Sequence, residues 1–113
     1  MAIHGPAKYA HQLLSSAIDT LATGPGDVRS RILEAYLTIH PLTPEHFPAP
    51  LREEYAWVLR QITRHGPQID YMGRIRKGAV EVSLAHMRNS TGVKIAQKLL
   101  ALHYAIDSHV NPR

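Results

Sequence analysis

Residues 91–109, TGVKIAQKLLALHYAIDSH, decide how the whole chain must fold. Ile95, Leu99, Leu102 and Ile106 recur at helical spacing and form one apolar stripe. Val93, Leu100 and Tyr104 form a second stripe on the far side. Only Lys94, Gln97, Lys98, Ala101, Ala105 and Ser108 remain as a polar or small-residue strip. A helix that is apolar on two sides is sandwiched between neighbours. This segment is therefore expected to be the central helix of a bundle, capped by Ser90 or Thr91 and fraying at Asn111-Pro112-Arg113.

The neighbours that such a helix needs are present upstream. From about Pro6 to Ala22, Ala7, Ala10, Leu14, Ala17, Ile18 and Leu21 share a helical face, and Thr23-Gly24-Pro25-Gly26 supplies a stop. From about Asp27 to His40, Val28, Ile32, Ala35 and Ile39 form one stripe, with Leu33 and Leu37 nearly opposite. The prolines at 41, 44, 48 and 50 forbid a long helix there, and Thr43-Pro44-Glu45 suggests a cap and a single turn. From about Pro50 to Arg64, the core face is Leu51, Tyr55, Val58, Leu59 and Ile62, ended by His65-Gly66-Pro67.

Residues 66–78, GPQIDYMGRIRKG, carry no helical stripe. A connection longer than about 12 residues is uncommon in a compact domain and is usually functional or disordered. Residues 79–88 fit helical spacing through Val80, Leu84 and Met87, and strand alternation through Val80, Val82 and Leu84. A helix is favoured, because a lone strand has nothing to pair with. The expectation is an all-α compact bundle of four to five helices in a single domain spanning residues 1–113. The second and last helices are central and the first and third flank them.

Composition agrees with a globular chain: 44% of its 113 residues are hydrophobic and 19% charged, far from a disordered composition. The length leaves room for one core only. The absence of cysteine excludes disulfides, thiolate metal sites, iron–sulfur clusters and cysteine nucleophiles. The longest apolar run, Tyr55-Ala56-Trp57-Val58-Leu59, is far short of the roughly 20 residues of a membrane span. The opening MAIHGPAKYAHQLL has no apolar signal-peptide core, so a soluble cytoplasmic protein is expected.

The net charge is +4 with histidines neutral, and it is unevenly placed. Residues 1–50 carry Lys8, Arg29 and Arg31 against Asp19, Asp27, Glu34 and Glu45, so the basic excess belongs to residues 51–113. Half-protonation of the eight histidines near about pH 6.5 would double the net charge, making association with an acidic partner pH-dependent.

Three groupings are candidates for function. Trp57 lies about 145° from the core stripe of its helix at 100° per residue, beside Glu53, Arg60, Gln61 and Arg64. An exposed Trp among arginines resembles a binding hot spot. The competing expectation is that Trp57 packs under the 41–50 segment or the 66–78 connection. Second, Arg60, Arg64, Arg74, Arg76 and Lys77 fall close together, with His65 and Tyr71 among them and Asp70 and Glu81 diluting them. Such a segment can grip a nucleic-acid backbone or an acidic protein surface. Third, residues 79–109 have roughly the layout of a helix-turn-helix, which would place Lys94, Gln97 and Lys98 in a groove. Gly92 within the second helix and that helix's two apolar sides count against it.

Catalysis finds little in the sequence. His103 and Asp107 sit at i, i+4 and could pair, but without a nucleophile or an orienting group a pair is not a site. His40 with His46, and His4 with His11, lack an acidic third ligand at useful spacing. No catalytic residue, metal or cofactor is expected.

The blocks GDVRSRILEAYLTIHPLTPEHFPAPLREEYAWVLRQIT (26–63) and AVEVSLAHMRNSTGVKIAQKLLALHYAI (79–106) resemble a group of small helical bacterial proteins found in prophage-like or other mobile regions. The likeness rests on apolar spacing and proline punctuation, and it carries no site residues with it. It implies a small accessory, regulatory or inhibitor protein. The leading expectation is thus a non-enzymatic protein, monomeric or homodimeric. It would dock on a partner protein or nucleoprotein complex through Trp57, Arg60, Arg64, Tyr71, Arg74, Arg76 and Lys77. The alternative is direct nucleic-acid binding by residues 60–77, with Lys94, Gln97 and Lys98 as a secondary site.

Overall fold

The computed structural model describes residues 5–112, Arg76 by its backbone alone. Five α-helices dominate: α1 (Gly5–Thr23), α2 (Val28–Ile39), α3 (Arg52–Ile62), α4 (Ala79–His86) and α5 (Asn89–Val110). They form the all-α bundle that the apolar spacing requires. The helix α5 packs against α1, α2 and α3, and α2 packs against α1, α4 and α5, so these two occupy the middle. The stripe Ile95, Leu99, Leu102 and Ile106 is fully buried, in one cluster with Leu14, Ile32, Ile39, Tyr55, Val58 and Ile62. The second stripe of α5 is not covered: Val93, Leu100 and Tyr104 remain exposed.

Local chemistry sets the boundaries. Gly24 closes α1 by donating its N–H to the Thr20 carbonyl at 2.8 Å, so near that carbonyl that an added Cβ would lie 2.7 Å from it. The Asp27 carboxylate caps α2, accepting the Ser30 N–H at 3.0 Å and two N–H groups of Arg29. That Ser30 amide and the Arg29 guanidinium hold the Asp27 carboxyl below the usual carboxylate range. Arg29 also donates to the Met87 carbonyl, tying α2 to the end of α4.

The proline-rich segment forms two single turns, Pro44–His46 and Ala49–Leu51, in place of a helix. Thr43 stands at the N-cap of the first turn, and His46 Nδ1 accepts its N–H at 3.0 Å. Leu42 and Phe47 turn inward. Phe47 stacks on Tyr55 with centroids 4.4 Å apart, and the Tyr55 hydroxyl donates to the Ile39 and Leu42 carbonyls. One side chain of α3 thus fixes both the end of α2 and the segment that follows it.

Two expectations are corrected. The connection 66–78 is not structureless: β1 (Gln68–Ile69) and β2 (Ile75–Lys77) pair antiparallel, Gln68 opposite Lys77 and Ile69 opposite Ile75, with a bulge between. The period-2 signal fails there because the strands are too short to show one. The start of α5 lies at Asn89, so Ser90 and Thr91 are inside the helix; Arg88 stands at the N-cap without a side-chain cap bond. Gly92 is buried there against α2, and an added Cβ would meet Val28 Cγ1 at 2.9 Å.

Candidate interaction surface

The β1–β2 hairpin is built by Asp70 and Gly73. The Asp70 Oδ1 accepts the N–H groups of Met72 and Arg74, both at 2.9 Å, and Arg74 Nε lies 3.6 Å from Oδ2. Gly73 turns the chain at φ 80°, a left-handed value that costs glycine little. The result lifts apolar side chains into water: Ile69 is 56% exposed, Tyr71 98%, Met72 60% and Ile75 66%. Arg74 and Lys77 are exposed beside them. Arg76 lies on β2 between Ile75 and Lys77; its side chain is outside the described residues. Lys77 reaches a cleft of about 390 Å3 shared with Asp27, Arg29 and Glu81.

The remaining predicted residues form a separate group. Trp57 is half-buried, packed against the core, with Lys98 Nζ 5.9 Å from its ring centroid. The wheel placed it away from the stripe of α3, yet the fold half-buries it, with Lys98 of α5 over the ring. Trp57 is thus neither fully exposed nor part of the central core. Arg60 is spent on Glu53, Nη2 to Oε1 2.7 Å. Arg64 is exposed and lines a cleft with Gln61, His65, Ser83, His86, Met87, Arg88 and Thr91. Trp57 faces Lys98, whereas Gln61 and Arg64 share a cleft with Thr91 and Arg88, so α3 and α5 run antiparallel. Lys94 is exposed between those two points on α5.

The secondary trio is spread over two sides of α5. Gln97 lines an apolar groove with Ile18, Leu21, Val28, Val93 and Leu100, on a different side of α5 from Trp57 and Lys98. The helix α4 leans on α2 and α3 rather than on α5, unlike the mutually packed pair of a helix-turn-helix.

Among the histidines, the i, i+4 pairing of His103 with Asp107 gives way to cross-helix pairing. His11 Nε2 lies 2.9 Å from Asp107 Oδ1, and Ser15 Oγ lies 3.0 Å from His103 Nε2. The two imidazoles stack with centroids 5.6 Å apart. Hydrogen bonds from Asn111 and His11 hold the Asp107 carboxyl below the usual range. Ser15 donates its one hydroxyl proton to the His11 carbonyl at 2.8 Å. His103 Nε2–H then donates to Ser15 Oγ, which leaves no base for that hydroxyl. The buried His103 Nδ1 has no partner. This cluster joins α1 to α5. Among the described residues, no three His, Asp or Glu side chains are grouped as a metal ion needs.

Sequence reasoning missed Ile69, Met72 and Ile75, whose exposure depends on the turn at Asp70-Gly73. It also missed Arg88, His65 and His86 as one group, because α3 and the 83–91 stretch meet only in the fold. The Asp-X-X-Gly spacing of a turn was the one available signal for the hairpin.

The fold and surface define a small α-helical bundle bearing an exposed β-hairpin. No protein-family model matches the chain, and comparisons with curated proteins and with solved structures also return no match. No helix among the described residues is long and apolar enough to cross a membrane.

Proposed function

We propose that the protein is a non-enzymatic interaction protein, an accessory factor or inhibitor, that docks on a partner protein through the β1–β2 hairpin. The observation that carries this reading is the exposure of Ile69, Tyr71, Met72 and Ile75 on one short hairpin, in a chain whose core is complete without them. Exposed apolar groups gathered in one place mark contact surfaces more than scattered ones do. Tyr, Met and Arg are also the residues enriched at the centres of protein interfaces. Arg74 and Lys77 beside them favour a partner with an apolar pocket rimmed by carboxylates. The resemblance to small proteins of mobile regions points to the same class.

A photo-crosslinking amino acid placed at Tyr71, with Asp19 on α1 as control position, tests it in cells. The expected result is one dominant adduct from position 71. With that partner purified, Tyr71→Ala is expected to weaken binding about 30-fold, the scale of a hot-spot residue. Equal crosslinking from both positions, or unchanged affinity in Tyr71→Ala, refutes hairpin docking.

A further inference from the structure

We infer that the cleft where α3, α4 and α5 meet is a binding site for the phosphate group of a phosphoester. This site is separate from the hairpin and goes beyond the docking role. The cleft measures about 370 Å3 and is lined by Arg64, His65, His86 and Arg88, with Gln61 and Thr91 at its edge. That volume takes a phosphate together with part of the group that carries it.

The lining charges have one sign. No carboxylate lines the cleft. Of the acids on α3 and α4, Glu53 pairs with Arg60, and Glu81 lines the separate cleft beside Asp27, Arg29 and Lys77. Among the described residues, neither Arg64 nor Arg88 has an ion pair or side-chain hydrogen bond, so both guanidinium groups are available for the bidentate contacts that suit phosphate.

The histidines are held in place for the same task. Ser83 is buried, accepts the His65 N–H at 2.8 Å and donates to the His65 carbonyl at 3.2 Å, which fixes the floor of the cleft. His86 Nδ1 lies 2.8 Å from the Val82 carbonyl. A carbonyl only accepts, so Nδ1 carries a proton and Nε2 is the ring atom left for a ligand, where it donates to a phosphate oxygen in the imidazolium form. The His65 and His86 rings lie 4.8 Å apart, close enough to contact one anion together. The first turn of α5 opens on the same side and adds its positive end, but the four side chains carry the recognition.

The test is a titration of 15N-labelled protein followed by amide shifts, at constant ionic strength held with chloride. The probes are inorganic phosphate, a nucleoside monophosphate and a short single-stranded RNA. Phosphate is expected to give saturable shifts confined to residues 61–65 and 83–91. Arg64→Ala/Arg88→Ala should weaken binding about ten-fold or more, and Arg60→Ala should leave it unchanged. Both arginines of the cleft are exposed; if the double variant fails to fold, each single variant should still lose affinity. RNA that binds more tightly than the monophosphate, and loosens steeply with salt, identifies a nucleic-acid backbone as the source. A monophosphate that binds as tightly as RNA identifies a free phosphoester. Shifts that stay linear and spread to Lys8 and Lys77, or binding unaffected in the arginine variants, overturn the site.

Discussion

Replacing Tyr55 by Phe removes one hydroxyl from the point where α2, the proline-rich turns and α3 are joined. The ring would stay stacked on Phe47, so little apolar contact is lost. The Tyr55 hydroxyl donates to two carbonyls, each at 3.2 Å, and they fare differently without it. Ile39 O still accepts the Leu42 N–H at 2.8 Å. Leu42 O has no other donor among the described residues, and Leu42 is 2% exposed. A buried carbonyl left unpaired costs about 1–3 kcal/mol. For 113 residues, each kcal/mol corresponds to about 4 °C of Tm, giving an expected drop of about 4–12 °C. Thermal and urea unfolding followed by circular dichroism measure it. Burial also pushes the Tyr55 phenol well above its ordinary value. A group whose folded value is raised contributes stability below its unfolded value, about pH 10, and loses it as pH rises beyond. Wild type should therefore lose stability on the alkaline side, and Tyr55→Phe should lose less over the same range. An unchanged Tm, or identical alkaline limbs, would show that the hydroxyl holds nothing together.

Asp107, held below the usual carboxylate range by Asn111 and His11, contributes stability above the unfolded carboxyl value that disappears as pH falls through the folded one. Urea unfolding at about pH 4 and about pH 2 should show a shallower acid loss in Asp107→Asn than in wild type. Asp70→Ala removes the acceptor for the Met72 and Arg74 amides, so the hairpin amides should exchange faster while the bundle's Tm stays within about 1 °C. Gly92→Ala should lower stability by up to about 2 kcal/mol, since a Cβ at 2.9 Å from Val28 outweighs the helical gain. Adding Val28→Ala should recover part of that loss in a double-mutant cycle.

The helices were legible because each buries a stripe whose spacing is written in the chain: Leu14 and Ala17, Ile32 and Ile39, Val58 and Ile62, Ile95 through Ile106. The proline segment was legible as turns, but not the inward position of Phe47, which depends on meeting Tyr55. The hairpin was not legible, because two- and three-residue strands carry no period and their geometry comes from one aspartate and one glycine. Trp57 shows the limit of a helical wheel. It reports angle relative to its own stripe, not where a neighbouring helix will lie. The same limit hid the grouping of Arg64 with Arg88, residues from parts of the chain that spacing cannot relate.

The hairpin's independence from the core has an evolutionary consequence. The buried cluster contains no residue from 66–78, so substitutions at Ile69, Tyr71, Met72 or Ile75 escape the stability threshold that restricts Leu99 or Tyr55. Under the proposed docking role, selection for the hairpin's contacts and selection for folding would act on different residues. Such a chain could exchange one partner for another through changes in a dozen positions, while Asp70 and Gly73 keep the turn and Ser83 keeps its base in register with α4.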